Sequence, residues 1–238
     1  MADVLEKFVK DVKDEFGGNL KSVILYGSRV SGDDAGEKSD YNVLLVLNEV
    51  SAKLLKSVGV SIRIWMRMGN PAPLIFTQKT LERSADVFPM EFMDIKDNRR
   101  VLYGLDPFAG LRVDDAYLRH ECEFELKGKY LRLQQGYAAA ANPEDARKLL
   151  VDSVSTFLVI FRQIVRLLGR IPPVAKRASL TVLATEMKIE TSVFETVYAM
   201  KSGDKDALKQ DPDALMDRYM REIEKVIDIV DNMHERKG

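Results

Sequence analysis

Apolar residues at Val4, Leu5, Phe8, Val9 and Val12 recur at intervals of three and four, with Lys, Asp and Glu between them. That spacing predicts an amphipathic helix, which Gly17-Gly18 stops. Residues 23–26 read as a short buried strand. Residues 43–47 are continuously apolar, the pattern of a strand covered on both faces. Leu54, Leu55, Val58, Ile62, Trp65 and Met66 fit a helix better than alternation. Ser51 is suited to cap it and Gly69-Asn70-Pro71 to end it. A third strand follows at 74–76. Thr77 or Thr80 then caps a short helix that runs to Phe88-Pro89. Residues 90–95 predict a fourth strand, which carries Glu91 and Asp94.

The pattern changes after residues 103–110, where Gly104, Asp106-Pro107 and Gly110 make a linker. Residues 116–141 read as one long helix. Asn142 caps the next, with Pro143 in its first turn, and that helix extends to about residue 169. Ile171-Pro172-Pro173 breaks the chain. Shorter helices follow at 176–187 and 191–201, and Asp211-Pro212 opens the last. Five helices with short connections predict an antiparallel bundle. The fold class is therefore α+β. A first domain over 1–110 holds a small mixed β-sheet with flanking helices, and a second over 111–238 is a helical bundle. The apolar face of Phe157, Leu158, Ile160, Phe161, Ile164, Val165, Leu167 and Leu168 is either bundle core or a homodimer interface.

The 238 residues are 46% hydrophobic and 31% charged, an ordinary globular mix. A net charge of −1, from 36 basic and 37 acidic residues, gives no support to a broad nucleic-acid surface. Residues 180–201 could imitate a helix-turn-helix. Their second helix carries Glu195 and no cation before Lys201, which argues against DNA as a partner. Cys122 is the sole cysteine, so no internal disulfide forms, as suits a reducing compartment. No apolar run approaches the ~20 residues that span a bilayer. A soluble, cytoplasmic protein without a membrane partner is expected. His120-Glu121 resembles the start of a zinc helix motif, but Phe124 stands where its second histidine belongs.

Candidate chemistry gathers between the first two strands, in Tyr26-Gly27-Ser28-Arg29 and Asp40-Tyr41-Asn42. Gly27 permits a tight turn and a close phosphate approach. Ser28 offers a hydroxyl and a backbone N–H, and Arg29 a cation, which together suit an anion-binding nest. Asp40 and Asn42 are two apart, so they share a face. Mg²⁺ takes oxygen ligands, commonly one or two carboxylates with phosphates and water. Glu91, or Asp94 on the opposite side of its strand, would add a third oxygen or a general base. Taken singly, each feature has a plainer reading. Gly-Ser is common in turns, Asn42 suits a strand start, and Glu91 and Asp94 suit a solvated edge.

Taken together, Gly27-Ser28, a short polar loop, Asp40 and Asn42 heading an apolar strand, and a later acid resemble the signature of the nucleotidyltransferase superfamily (DNA polymerase beta-like). Two-domain bacterial members similar to the aminoglycoside adenylyltransferases carry a comparable C-terminal bundle. The resemblance implies that Gly27 and Ser28 hold a triphosphate, with Arg29 neutralising charge. Asp40, Asn42 and Glu91 would stand at the metal positions, and Asp40, Glu91 and Asp94 at the catalytic ones. It further implies Mg²⁺ as cofactor, ATP as substrate, and transfer of AMP to a hydroxyl of a small molecule or a protein. A carboxylate of the bundle, from Glu121, Glu123 or Glu125, would face the cleft. One position departs from the pattern. Asn42 stands where the family places a second Asp, so the site holds one negative charge less. Weakened metal binding follows, unless Asp33, Asp34 or Glu37 compensates. Two readings stay open: an active transferase, or a catalytically weak or silent module that binds a nucleotide or a partner protein.

Overall fold

The computed structural model describes residues 2–32 and 40–233. The loop acids Asp33, Asp34 and Glu37 lie outside the described residues. The chain divides into two compact units, 1–114 and 115–238.

In the first unit, α1 (Ala2–Phe16) leads into β1 (Leu20–Tyr26), a single turn α2 (Ser28–Ser31) and β2 (Asn42–Leu47). The segment read as one helix is two, α3 (Ala52–Ser57) and α4 (Gly59–Arg67), and the Ser51 side chain accepts from the Leu54 N–H as its sequence position suggests. β3 (Leu74–Thr77), α5 (Gln78–Arg83), α6 (Pro89–Asp97) and β4 (Arg99–Gly104) complete it. Thr77 and Thr80 cap α5 jointly, each side chain accepting the other's backbone N–H.

The strands form one mixed sheet in the order β3-β2-β1-β4. β1 is antiparallel to β2 and to β4, whereas β2 and β3 run parallel. Alternation along the central strands fills two cores. Val23, Leu25, Val43, Leu45 and Leu47 pack with Leu5, Phe8 and Val12 of α1 and Trp65 of α4. Ile24, Leu44 and Val46 pack on the other face with Leu81 of α5, Phe92 and Ile95 of α6, and Phe108. Helices thus cover both faces, which is why β2 reads as an unbroken apolar run.

The expected strand at 90–95 is helical. Pro89 sits at the first helical position, where its missing N–H costs nothing. Phe92 and Ile95, three apart, then reach the same core. The fourth strand lies instead at Arg99–Gly104, and its end overlaps the expected linker at 103–110. It is an edge strand, where charged residues are common. Gly104 closes it with φ 75°, and a Cβ there would stand 1.8 Å from the Lys21 carbonyl oxygen. Only glycine fits that approach.

The second unit contains α7 (Asp115–Ala138), α8 (Pro143–Leu167), α9 (Ser179–Met187), α10 (Ser192–Lys201) and α11 (Pro212–Asp231). Asn142 accepts from the N–H groups of Glu144 and Asp145 at 2.9 and 3.1 Å, so its capping role is as the sequence suggests. Helix α8 packs against each of the other four. Of its expected apolar face, Phe157, Leu158, Ile160, Phe161, Ile164 and Val165 are buried, whereas Leu167 and Leu168 at the helix end are half-buried. Phe161 meets Phe194 edge-on at 5.1 Å, and Phe194 meets Tyr219 at 5.0 Å. Among the described residues no helix is long and apolar enough to cross a membrane.

Candidate functional site

β1 ends at Tyr26, and the chain turns at Gly27 with φ 84° and ψ −155°. That conformation is almost closed to residues with a Cβ. A Cβ at Gly27 would stand 3.3 Å from Asn42 Nδ2, so the turn passes hard against the Asn42 amide. The Gly27 carbonyl accepts from Val30 and Ser31, which starts α2. Its N–H donates to the Asn98 carbonyl at 3.1 Å. The N–H of Gly27 is therefore committed to the end of α6 and not open to an anion.

Asn42 opens β2 opposite Tyr26, and Arg99 of β4 flanks Tyr26 on its other side. Cross-strand partners share a face. One row therefore runs Asn42, Tyr26, Arg99 across the sheet, level with the turn. Asp40 lies two residues ahead of β2 and is exposed. Burial pushes the Tyr26 hydroxyl up to about 12, and the negative charge of Asp40 adds to the rise. Asp40 and Tyr26 are thus electrostatic neighbours.

Arg99 is held by protein groups. Its guanidinium makes a bidentate pair with Asp106, with Nε 3.0 Å from Oδ1 and Nη2 2.6 Å from Oδ2. It also donates to the Lys96 carbonyl and lies over the Phe108 ring. Hydrogen bonds from Arg99 hold the Asp106 carboxyl below its ordinary range against partial burial, and the Phe108 N–H helps.

Arg29 is placed by an aromatic. Its guanidinium lies 4.7 Å above the Tyr41 ring, a cation–π contact. Tyr41 is fixed in turn. Its N–H donates to Asn70 Oδ1 at 2.9 Å, and its ring tilts against Trp65. Trp65 stacks on Phe8 at 4.2 Å and donates its indole N–H to the Pro71 carbonyl. The Gly69-Asn70-Pro71 segment, read only as a helix stop, thereby braces the residue between Asp40 and Asn42.

The structure brings Gly27, Ser28, Arg29, Asp40 and Asn42 to the adjoining ends of β1 and β2. Glu91 and Asp94 are helical, which corrects the expected strand at 90–95 that carries them. Glu91 is exposed in the first turn of α6, where a carboxylate is favoured by the positive end of the helix. Asp94 is half-buried, and its carbonyl caps the helix end by accepting from Asn98. The strand that does flank β1 at this level offers Arg99 and Arg100. Among the described residues no three of His, Cys, Asp and Glu group as a metal site.

Of the bundle carboxylates, Glu123 lies between Lys127 and Arg119 at 2.6 and 2.8 Å. Their hydrogen bonds bring it down to about 2. A carboxyl so acidic is a poor general base at neutral pH. Glu125 pairs with Lys129 at 2.9 Å, and Glu121 is half-buried.

Sequence reasoning missed Tyr26, Tyr41, Asn70, Asn98 and Arg99. The two tyrosines adjoin the motif directly, and an aromatic beside Arg29 or Asp40 was the available signal. Asn70, Asn98 and Arg99 reach the site only through tertiary hydrogen bonds.

No family model matches the chain, and no curated protein does. Among solved structures, it is similar to the spectinomycin adenyltransferase AAD(9) from Enterococcus faecialis, determined with ATP and spectinomycin. The match covers 92% of this chain and 98% of that one, with a TM-score of 0.53 and 13% identity. The two proteins share their α+β fold across nearly their whole lengths.

Proposed function

We propose that the chain binds a nucleoside triphosphate, ATP foremost, at the turn formed by Gly27, Ser28 and Arg29, and that its capacity for metal-assisted transfer is weakened or lost. The observation that carries the second half is the Asn42–Tyr26–Arg99 row. Where paired ions would need carboxylates, this row presents a neutral amide, a neutral phenol and a guanidinium. Two Mg²⁺ ions close together demand several anionic oxygens to offset their repulsion. The described residues of the turn supply one, Asp40, and do not fit that pair. They fit a nucleotide whose own phosphates hold its ion, with Asp40 as the one carboxylate among the described residues of the turn. Arg29, steadied over Tyr41, supplies positive charge toward the phosphates.

An active transferase is the second reading, one that passes AMP to a hydroxyl of a small molecule or a protein. The fold shared with an enzyme solved with ATP and spectinomycin favours it. Calorimetric titration with ATP and Mn²⁺, run beside an ATP-consumption assay, separates the two. The first reading expects ATP binding by the wild type, weaker binding by Asp40→Ala and Arg29→Ala, and turnover only after Asn42→Asp. Turnover by the wild type that Asp40→Ala abolishes supports the transferase. Absence of ATP binding overturns both.

A further inference from the structure

Residues 50–81 contain five cations, Lys53, Lys56, Arg63, Arg67 and Lys79, and no acid, in a chain of net charge −1. Elsewhere several cations pair along their own helix, as Lys7 with Asp11 and Arg119 with Glu123. Among the described residues none of these five makes an ion pair. The cations are interleaved with exposed apolar side chains. Helix α4 turns Ser61 and Trp65 inward, which leaves Val60, Arg63, Ile64 and Arg67 outward at i, i+3, i+4 and i+7. Val60 is 55% exposed and Ile64 39%, while Met66 and Met68 beside them are 49% and 52%. Leu55 of α3 is likewise exposed, at 39%.

We propose that this outward face of α3 and α4 docks an acidic amphipathic helix of a protein partner. Charge selects the occupant. Aliphatic side chains at helical spacing ask for an apolar stripe, and the unpaired cations around them ask for flanking carboxylates. Methionines at the margin can repack around such a helix. A second copy seated symmetrically would set Arg63 and Arg67 against themselves, because a two-fold interface joins the same patch to itself. An anionic bilayer would favour an exposed aromatic at headgroup depth. The sole tryptophan, Trp65, is instead buried against Phe8. RNA would use the cations and leave the aliphatic strip unsatisfied.

The test uses the full chain and a synthetic amphipathic helix with leucine along one stripe and glutamate beside it, followed by fluorescence anisotropy. The wild type is expected to bind it, less tightly as salt rises. Arg63→Glu with Arg67→Glu should weaken binding about tenfold or more. Val60→Ser with Ile64→Ser should also weaken it. A peptide with lysine in place of glutamate should bind the charge-reversed protein in preference to the wild type. These positions are exposed, so unchanged circular dichroism separates lost docking from lost folding. Equal binding by the wild type and the charge-reversed protein overturns the proposal, as does no binding. So does a preference of the same face for phosphatidylglycerol vesicles, poly(U) or a second copy of the chain.

Discussion

Asn42 Nδ2 lies 3.3 Å from the point where a β-carbon on Gly27 would stand. One strand's first residue therefore shapes the turn that ends its neighbour, and the two positions act as a unit. Gly27 carries a second constraint in its φ of 84°. Gly27→Ala should destabilise the first unit by roughly 1–3 kcal/mol. Adding Asn42→Ala removes the contact but not the backbone strain, so most of the loss should persist in the double variant. Urea denaturation of the three variants checks this. Full recovery in the double variant would mean that the contact, not φ, sets the cost.

The Arg99–Asp106 pair should give stability a pH signature. The Asp106 carboxyl is held below its ordinary range by Arg99, so its folded value lies under its unfolded one. Its contribution is therefore complete above about pH 4, near the unfolded value, and fades as pH falls through the folded value. Asp106→Asn should cost about 1 kcal/mol at pH 7, as befits a bidentate but partly exposed pair. The gap between variant and wild type should close at acidic pH. A gap constant from neutral to strongly acidic pH would remove the pair from this account.

Elements set by neighbours in the chain are legible in the sequence, and those set by distant residues are not. The strands at 23–26 and 43–47 were legible because burial on both faces leaves apolar runs. Ser51, Thr77 and Asn142 were legible as caps because a cap acts within three residues of itself. Residues 90–95 misled because six residues are too few to separate alternation from helical spacing, although Pro89 before Glu91 is a helix-start signal. Arg99–Gly104 was hidden because an edge strand needs little apolar character. At the candidate site, Gly27, Ser28, Arg29, Asp40 and Asn42 were legible as a local motif. Asn98 and Asn70 were not, since each reaches the motif from an element distant in the chain.

Tyr26 should mark the alkaline limit of the first unit. Its hydroxyl is raised to about 12, chiefly by burial and then by Asp40. A raised folded value means the contribution is whole below about pH 10, the unfolded value, and is lost as pH climbs toward the folded one. Tyr26→Phe should flatten the fall in stability above about pH 10. Tyr130 and Tyr219 are also raised, so ultraviolet titration of phenolate should show one late-titrating tyrosine fewer in the variant, and Asp40→Asn should move the Tyr26 share of the late step to lower pH.

The helix cap at Asn142 offers a test confined to the second unit. Asn142→Ala removes the acceptor for two backbone N–H groups at the start of α8. The cost should be about 1 kcal/mol in thermal or urea unfolding, and Asn142→Asp should retain most of the stability. Equal losses in both variants would point away from the side-chain oxygen.

Gly104 reaches beyond its own turn. A side chain there would collide with the Lys21 carbonyl 1.8 Å away and lever the last strand off its neighbour. The strand uncovered by that detachment, β1, is almost wholly aliphatic from Val23 to Leu25. Its freed backbone groups would become a template for pairing between molecules. The smallest residue in the sheet thus keeps that edge closed, and its replacement should reveal itself as fibrils or precipitate, read by light scattering.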